Sequence, residues 1–390
     1  MADASSIRWR EGASERTGRW LSPGTAIPSD IGSADDGTTA AAALARARRG
    51  EGLVYGGDYR NARQLLAAMA RRLERPARGS AGGRPRPSGP GLAPPAQASP
   101  AHAWEIERER RREAHDVLGR LLVPVEPGFR VPLARAPDAS AALAEALAAD
   151  AAPPGLLPLR DLLGMIGAHE WRRRGVEVSA LGARVHPHFG VYAPVRSEYV
   201  DLVAAAASEW PAAGKRALDV GTGTGVLAFV LARAGAAVVA TDAEPRAVAC
   251  ARENAARLGL DGRVVVKEAD LWPEGEADLV VSNPPWLPGE AHGPLERAVY
   301  DPGGRFLERL VLELPAHLAP GGEAWIVLSD LAELLGLCPP DRVAALAARA
   351  GLRVSDVREA RPLHPRARDR DDPFHAFRAR EVTRLFRLVH

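Results

Sequence analysis

KRALDVGTGTGVLAFVLARAGAAVVATD, residues 215–242, decides how the chain is read. Ala217–Val220 is a short, mostly apolar run with an acid, Asp219, near its end. Gly221, Gly223 and Gly225 follow at alternating positions, with Thr222 between the first two. An apolar segment of helical character spans Val226–Ala234, and a second apolar run, Ala236–Ala240, leads to Asp242. The order is strand, glycine turn, helix, strand, acid. Glycines permit a tight turn and close approach of the backbone to a ligand. The helix start offers unpaired N–H groups, and an acid about 20 residues on suits a ribose hydroxyl pair. An adenosine-type site follows. The dinucleotide pattern G-x-G-x-x-G is absent, because no third glycine stands where a pyrophosphate needs it.

Downstream, the chain alternates regularly. A helix is expected over Pro245–Leu258, a strand over Val264–Val266, and another over Ala277–Val281. Helices at Arg305–Leu318 and Arg342–Ala350 bracket a strand at Ala324–Leu328, and Leu352–Val357 and Val382–Val389 read as final strands. Such alternation predicts an α/β fold, a doubly wound, mostly parallel sheet with helices on both faces. Ligands then bind at the C-terminal strand ends, where Asp219, Asp242, Asp270 and Asn283 are all expected.

The fourth strand is followed by Asn283-Pro284-Pro285-Trp286. An amide or exocyclic amino nitrogen is a poor nucleophile, since its lone pair is delocalised. The Asn283 side-chain oxygen and the Pro284 carbonyl are acceptors suited to both of its N–H groups. The prolines stiffen the turn, and Trp286 offers a flat face to a planar acceptor.

The glycine turn resembles motif I of the class I S-adenosylmethionine-dependent methyltransferases. With Asn-Pro-Pro-Trp added, the C-terminal half resembles the small-methyltransferase/HemK-like N-methyltransferases. The resemblance implies a Rossmann-like, seven-stranded sheet and S-adenosylmethionine as cofactor. It implies cofactor contacts at Asp219, Gly221, Thr222, Gly223, Gly225, Asp242, Asp270 and Leu271, and a catalytic turn of Asn283, Pro284, Pro285 and Trp286. GVYAPVRSEYVDLV, from Gly190, is similar to the piece preceding motif I in HemK-like glutamine methyltransferases, with Ser197 as a helix N-cap. The acceptor so implied is a macromolecule: the glutamine side-chain amide of a protein or, alternatively, an exocyclic amino group of guanine or adenine in RNA or DNA. Trp286 in place of the family's usual Tyr leans toward a nucleobase, since a larger ring stacks better on a base. A non-catalytic, cofactor-sensing binding protein is the rival from another class, marked by loss of a motif residue, and none is lost. A nicotinamide oxidoreductase is opposed by the glycine spacing. Glu296, Tyr300 and Asp301, in the loop after the turn, are candidates for substrate contact.

The remaining sequence sets boundaries. In 390 residues, 51 basic and 49 acidic side chains nearly balance, so overall charge neither demands nor excludes nucleic acid. The two cysteines, Cys250 and Cys338, form no C-x-x-C pair, which argues for a reducing compartment. No long uncharged apolar run or apolar leader is seen, so a cytoplasmic protein without a membrane segment is expected. His186 and His188 lack a third ligand nearby and predict no metal site. Residues 1–100 are expected to be largely disordered, with a helix near 58–73 packed on the protein's own body and a Pro/Gly linker at 75–100. Residues 101–180 read as a small, mainly helical substrate-recognition domain, and residues 181–390 as the methyltransferase domain.

Overall fold

A computed structural model describes residues 6–11, 14–74, 99–148, 154–291, 293, 295–363 and 369–390. The chain divides into two compact units, Met1–His169 and Glu170–His390.

The first unit is built on a six-stranded sheet, which corrects the expectation of disorder. Its elements are β1 (Ser6–Glu11), β2 (Ser14–Trp20), β3 (Asp30–Ala34), α1 (Ala40–Ala47), β4 (Glu51–Tyr55), α2 (Tyr59–Glu74), α3 (Pro100–Leu118), β5 (Leu121–Val125), α4 (Ser140–Leu147), β6 (Gly155–Pro158) and α5 (Leu159–Arg174), the last crossing the unit boundary. The strand order is β1-β2-β6-β5-β4-β3. β1 shows why composition misleads. Ile7 and Trp9 are buried while Ser6, Arg8 and Arg10 face solvent, a period-2 pattern in a polar-looking stretch. α1 is capped by Thr39, whose Oγ1 accepts the Ala42 N–H at 3.3 Å, and α3 starts at Pro100 under a Ser99 cap. α2 buries Tyr59, Ala62, Leu65 and Met69, as its helical spacing predicts. The helices expected within 101–180 are present, but α3 and α4 belong to this sheet's unit instead of a separate helical domain. Most of the linker expected at 75–100 lies outside the described residues.

In the second unit a hairpin of β7 (Val176–Val178) and β8 (Ala183–Val185) precedes α6 (Glu198–Glu209). Then come β9 (Arg216–Val220), α7 (Val226–Ala234), β10 (Ala237–Asp242), α8 (Pro245–Arg257), β11 (Val264–Glu268) and β12 (Ala277–Ser282). The short strands β13 (Leu287–Pro288) and β14 (Tyr300–Asp301) pair with each other. They lead to α9 (Arg305–Glu313), β15 (Leu318–Ser329), α10 (Leu331–Leu334), α11 (Arg342–Arg349), β16 (Arg353–Ala360), α12 (His375–Arg378) and β17 (Thr383–Val389). The seven-stranded order is β11-β10-β9-β12-β15-β17-β16, parallel except that β17 runs antiparallel to both of its neighbours. The expected doubly wound fold is present.

Both faces of the sheet are covered. Ala217, Leu279, Val281, Trp325 and Val327 pack with α6, α7 and α8. The alternate residues Leu218, Val220, Val280, Ala324 and Ile326 pack with α9 and α11. Double-sided burial explains why these strands read as continuous apolar runs.

Candidate active site

The site forms where β9, β10 and β12 end side by side. The glycine turn after β9 is a backbone construction. Gly221, Gly223 and Gly225 have φ of +74°, +55° and +90°, values that favour glycine. The N–H groups of Gly221 and Thr222 both donate to the Thr241 carbonyl, at 2.9 and 2.8 Å. Gly223 donates to Asp242 Oδ2 at 2.9 Å, and Asp242 Oδ1 accepts the Glu244 N–H at 3.0 Å. Burial pushes the Asp242 carboxyl up from its ordinary value, against the pull of those backbone N–H groups.

Asp219 lies beneath the turn and is only 1% exposed. Its Oδ2 accepts the Thr222 hydroxyl at 2.6 Å and the Ala228 N–H, in the first turn of α7, at 3.0 Å. Burial pushes its carboxyl up to about 6, though both hydrogen bonds pull it down. Asp219 thus ties strand, turn and helix together from below.

A Cβ built on Gly223 would meet nothing within 4 Å, so protein leaves the space over the turn open. An open glycine cradle, a helix N-terminus and a fixed carboxylate at the next strand end suit an adenosine-bearing cofactor.

Two residues expected at this edge sit differently. Asp270 turns outward: its carboxylate is 73% exposed and pairs with Arg309 at 3.0 Å. Leu271 is buried, with φ of +72°, and its carbonyl accepts the Thr241 hydroxyl at 2.7 Å.

The Asn-Pro-Pro-Trp turn leaves β12 beside the glycine turn, and the Ser282 hydroxyl donates to the Val220 carbonyl at 2.7 Å. Pro284 is buried, while Asn283, Pro285 and Trp286 are half-buried. Within the turn, Trp286 Nε1 donates to Asn283 Oδ1 at 2.7 Å. The loop that follows is pinned back, since β13 pairs with β14. Asp301, expected as a substrate contact, is buried and accepts the Phe306 and Leu307 N–H groups at 2.9 and 3.2 Å, so it caps α9.

Sequence reasoning missed the charges next to this turn. The Arg196 guanidinium stacks over the Trp286 ring, 4.6 Å from its centroid. Arg196 also donates to Glu198 Oε1 at 2.6 Å and to Glu381 Oε1 at 3.0 Å, and the Ser329 hydroxyl donates to Glu381 at 2.6 Å. Glu198 and Glu381 are each 3% exposed. Arg196 and Glu198, two residues apart, were a signal within reach, whereas Glu381 had none. Ser197 stands at the α6 start as expected, but its side chain makes no capping bond. His186 Nδ1 lies 2.6 Å from the Arg172 carbonyl and His188 Nε2 2.8 Å from Glu253.

Comparison with known proteins matches this half of the chain. The family model described as methyltransferase small domain matches residues 197–334. A release factor glutamine methyltransferase of Deinococcus radiodurans is 43% identical over 119 residues, 27% of this chain and 43% of that protein. A ribosomal RNA small subunit methyltransferase C of Alcanivorax borkumensis is 35% identical over 112 residues, 29% of this chain and 31% of that protein. A Methanocaldococcus jannaschii protein assigned by name to the protein N5-glutamine methyltransferases is 30% identical over 165 residues, 40% of this chain and 80% of that protein. The chain spans about half the length of the release factor methyltransferases it matches, 43%, 51% and 59% in three of them. With the glycine turn and the Asn-Pro-Pro-Trp turn at adjoining strand ends, and four-fifths of the M. jannaschii relative covered, the chain belongs to the methyltransferase small domain family.

Proposed function

We propose that the protein is an S-adenosylmethionine-dependent N-methyltransferase whose acceptor is the side-chain amide of a glutamine in a protein. One observation carries the reading: a carboxamide acceptor, Asn283, is fixed in a stiff turn beside an open glycine cradle, so a planar N–H2 group is met at the cofactor's edge. S-adenosylmethionine, when bound, supplies an electrophilic methyl group. The turn of Gly221, Thr222, Gly223 and Gly225 would hold the cofactor, with Asp219 supporting the turn from below, and Asp242 would take the ribose hydroxyls. Leu271 would pack beside it, and Asp270 would reach it only by leaving Arg309.

Asn283 Oδ1 has a second lone pair beyond the one facing Trp286, and with the Pro284 carbonyl it accepts the acceptor's two N–H groups. Pro285 stiffens that geometry. In the transfer this would allow, the acceptor nitrogen would bond the methyl carbon as the methyl–sulfur bond broke, the electron pair would remain on sulfur, and the nitrogen would release one proton to solvent. Fixed acceptors stabilise the charge developing on nitrogen, and orientation supplies much of the rate. Arg196 occupies one face of Trp286, which weakens the case for stacking a nucleobase there and favours the smaller amide.

Among the described residues no helix is long and apolar enough to cross a membrane. The test is methyl transfer from labelled S-adenosylmethionine into lysate, followed by protease or RNase. Label lost to protease is expected, with Asn283→Ala lowering turnover by about 10²- to 10³-fold. Label lost to RNase would move the acceptor to a nucleobase. Turnover undiminished in Asn283→Ala would overturn the mechanism, and failure of the purified protein to bind S-adenosylmethionine would overturn the enzyme class.

A further inference from the structure

The hydrogen bond from Trp286 Nε1 to Asn283 Oδ1, at 2.7 Å, has a chemical asymmetry. An indole nitrogen donates and never accepts. It therefore bonds the oxygen of the carboxamide and not its N–H2 group, and so selects one of the two orientations of the Asn283 amide. Phe has no such donor. Whether the selection persists depends on what holds the Trp286 ring, which is only half-buried.

Arg196 holds it. The guanidinium lies 4.6 Å from the ring centroid, a stacking a planar cation makes and an ammonium does not reproduce. The guanidinium is itself fixed from two directions, by Glu198 at 2.6 Å and by Glu381 at 3.0 Å. Glu198 Oε2 is buried with no hydrogen-bond partner among the described residues, so that carboxylate depends heavily on Arg196. A clamp of two buried acids, one guanidinium and one indole thus ends on the acceptor oxygen.

We propose that Arg196 is a positioning residue of the transfer site, holding Trp286 by its ring face so that the indole N–H keeps Asn283 Oδ1 as a fixed acceptor. The catalytic part of the proposal rests on the methyltransferase reading above; the clamp itself does not. Arg196 touches neither acceptor nor cofactor in this scheme and acts through Trp286. Removing the charge outright would strand two buried carboxylates and risk unfolding, so the informative variants are Arg196→Lys and Trp286→Phe.

The experiment has two arms on the full chain. In ¹⁵N-indole spectra, the Trp286 signal is identified by its loss in Trp286→Phe, and its proton exchange is measured in wild type and Arg196→Lys. Exchange is expected to quicken by at least about tenfold in Arg196→Lys, as for a freed exposed group. In the second arm, both variants are expected to lower kcat by about ten- to a hundredfold, the effect of a misplaced reacting group. KM and the Kd for S-adenosylmethionine should stay within about threefold, since uniform binding is not what is lost. Unchanged indole exchange in Arg196→Lys overturns the clamp. Faster exchange with unaltered kcat, or a change confined to KM or cofactor Kd, overturns the positioning role. A wild type that transfers no methyl group sinks the enzymatic reading, with the positioning role that depends on it, and the exchange arm still decides the clamp.

Discussion

The turns after β9 and β12 leave neighbouring strands at the same edge of the sheet, yet they are held by different means. The glycine turn takes most of its support from within residues 219–242, from the Thr241 carbonyl, the Asp242 carboxylate and Asp219 beneath, with one bond from α8, where the Asn254 side-chain amide donates to the Thr224 carbonyl at 3.2 Å. The Asn-Pro-Pro-Trp turn is braced by side chains far away in sequence, Arg196 and, behind it, Glu381. The first is set by a chain path that only glycine follows easily, with short carboxylates locked beneath and beside it, and fails chiefly when that path is denied. A side-chain device fails quietly, by a change of angle that leaves the fold standing. Variants in the first turn should therefore register as stability or cofactor affinity, and conservative variants in the second as rate.

The sharpest way to break that contrast is Gly225→Ala. The residue has φ of +90° and its Cβ would fall 2.2 Å from the buried Phe229 ring. Strain and overpacking together should cost about 3 kcal/mol of unfolding free energy, read by urea titration. A cost below about 1 kcal/mol would mean the turn adapts as a side chain does.

Asp219→Asn tests the support beneath. In the folded protein burial raises the Asp219 carboxyl to about 6, against about 3.9 unfolded. Between those values the folded state keeps a proton that the unfolded state has lost, so stability falls as pH rises through the window and stays lower above it. An asparagine oxygen can accept the same two hydrogen bonds without the buried charge. Asp219→Asn is expected to be more stable at pH 7.5 by about 1–2 kcal/mol, the gain vanishing below about pH 4. Equal stability at both pH values would remove burial as the cause.

Asp242→Asn should have the smallest effect. Its carboxylate holds Gly223 and faces the ribose position, so S-adenosylmethionine affinity measured by calorimetry should drop about tenfold, with unfolding free energy changed by less than about 0.5 kcal/mol. A large loss of stability instead would make Asp242 part of the scaffold alone.

What could be read from the sequence follows the same division. The glycine turn, α7, α8 and β9 through β12 were legible because their signals lie within a few residues of one another: glycine spacing, apolar runs, a proline opening α8. The pairing of β17 with β15 and β16 rests on contacts that no local period announces. Asp270 was placed correctly at a strand end, but its turn toward Arg309 depends on α9, 39 residues on. The six-stranded sheet was hidden for another reason. β1 and β2 carry arginine and serine on their outer positions, and average composition conceals an alternation that the individual positions Ile7 and Trp9 display.

β17 also imposes an order on synthesis. Thr383–Val389 lies between β15 and β16, pairing Thr383 with Ser329 on one side and with Ala360 on the other. A nascent chain released only as far as β16 has two strands that cannot meet and a bare edge along Glu323–Ser329. That edge carries Trp325, Ile326 and Val327 and is a template for pairing with a second chain. Until β17 docks, the parallel part of the sheet is complete while its open side is one strand short.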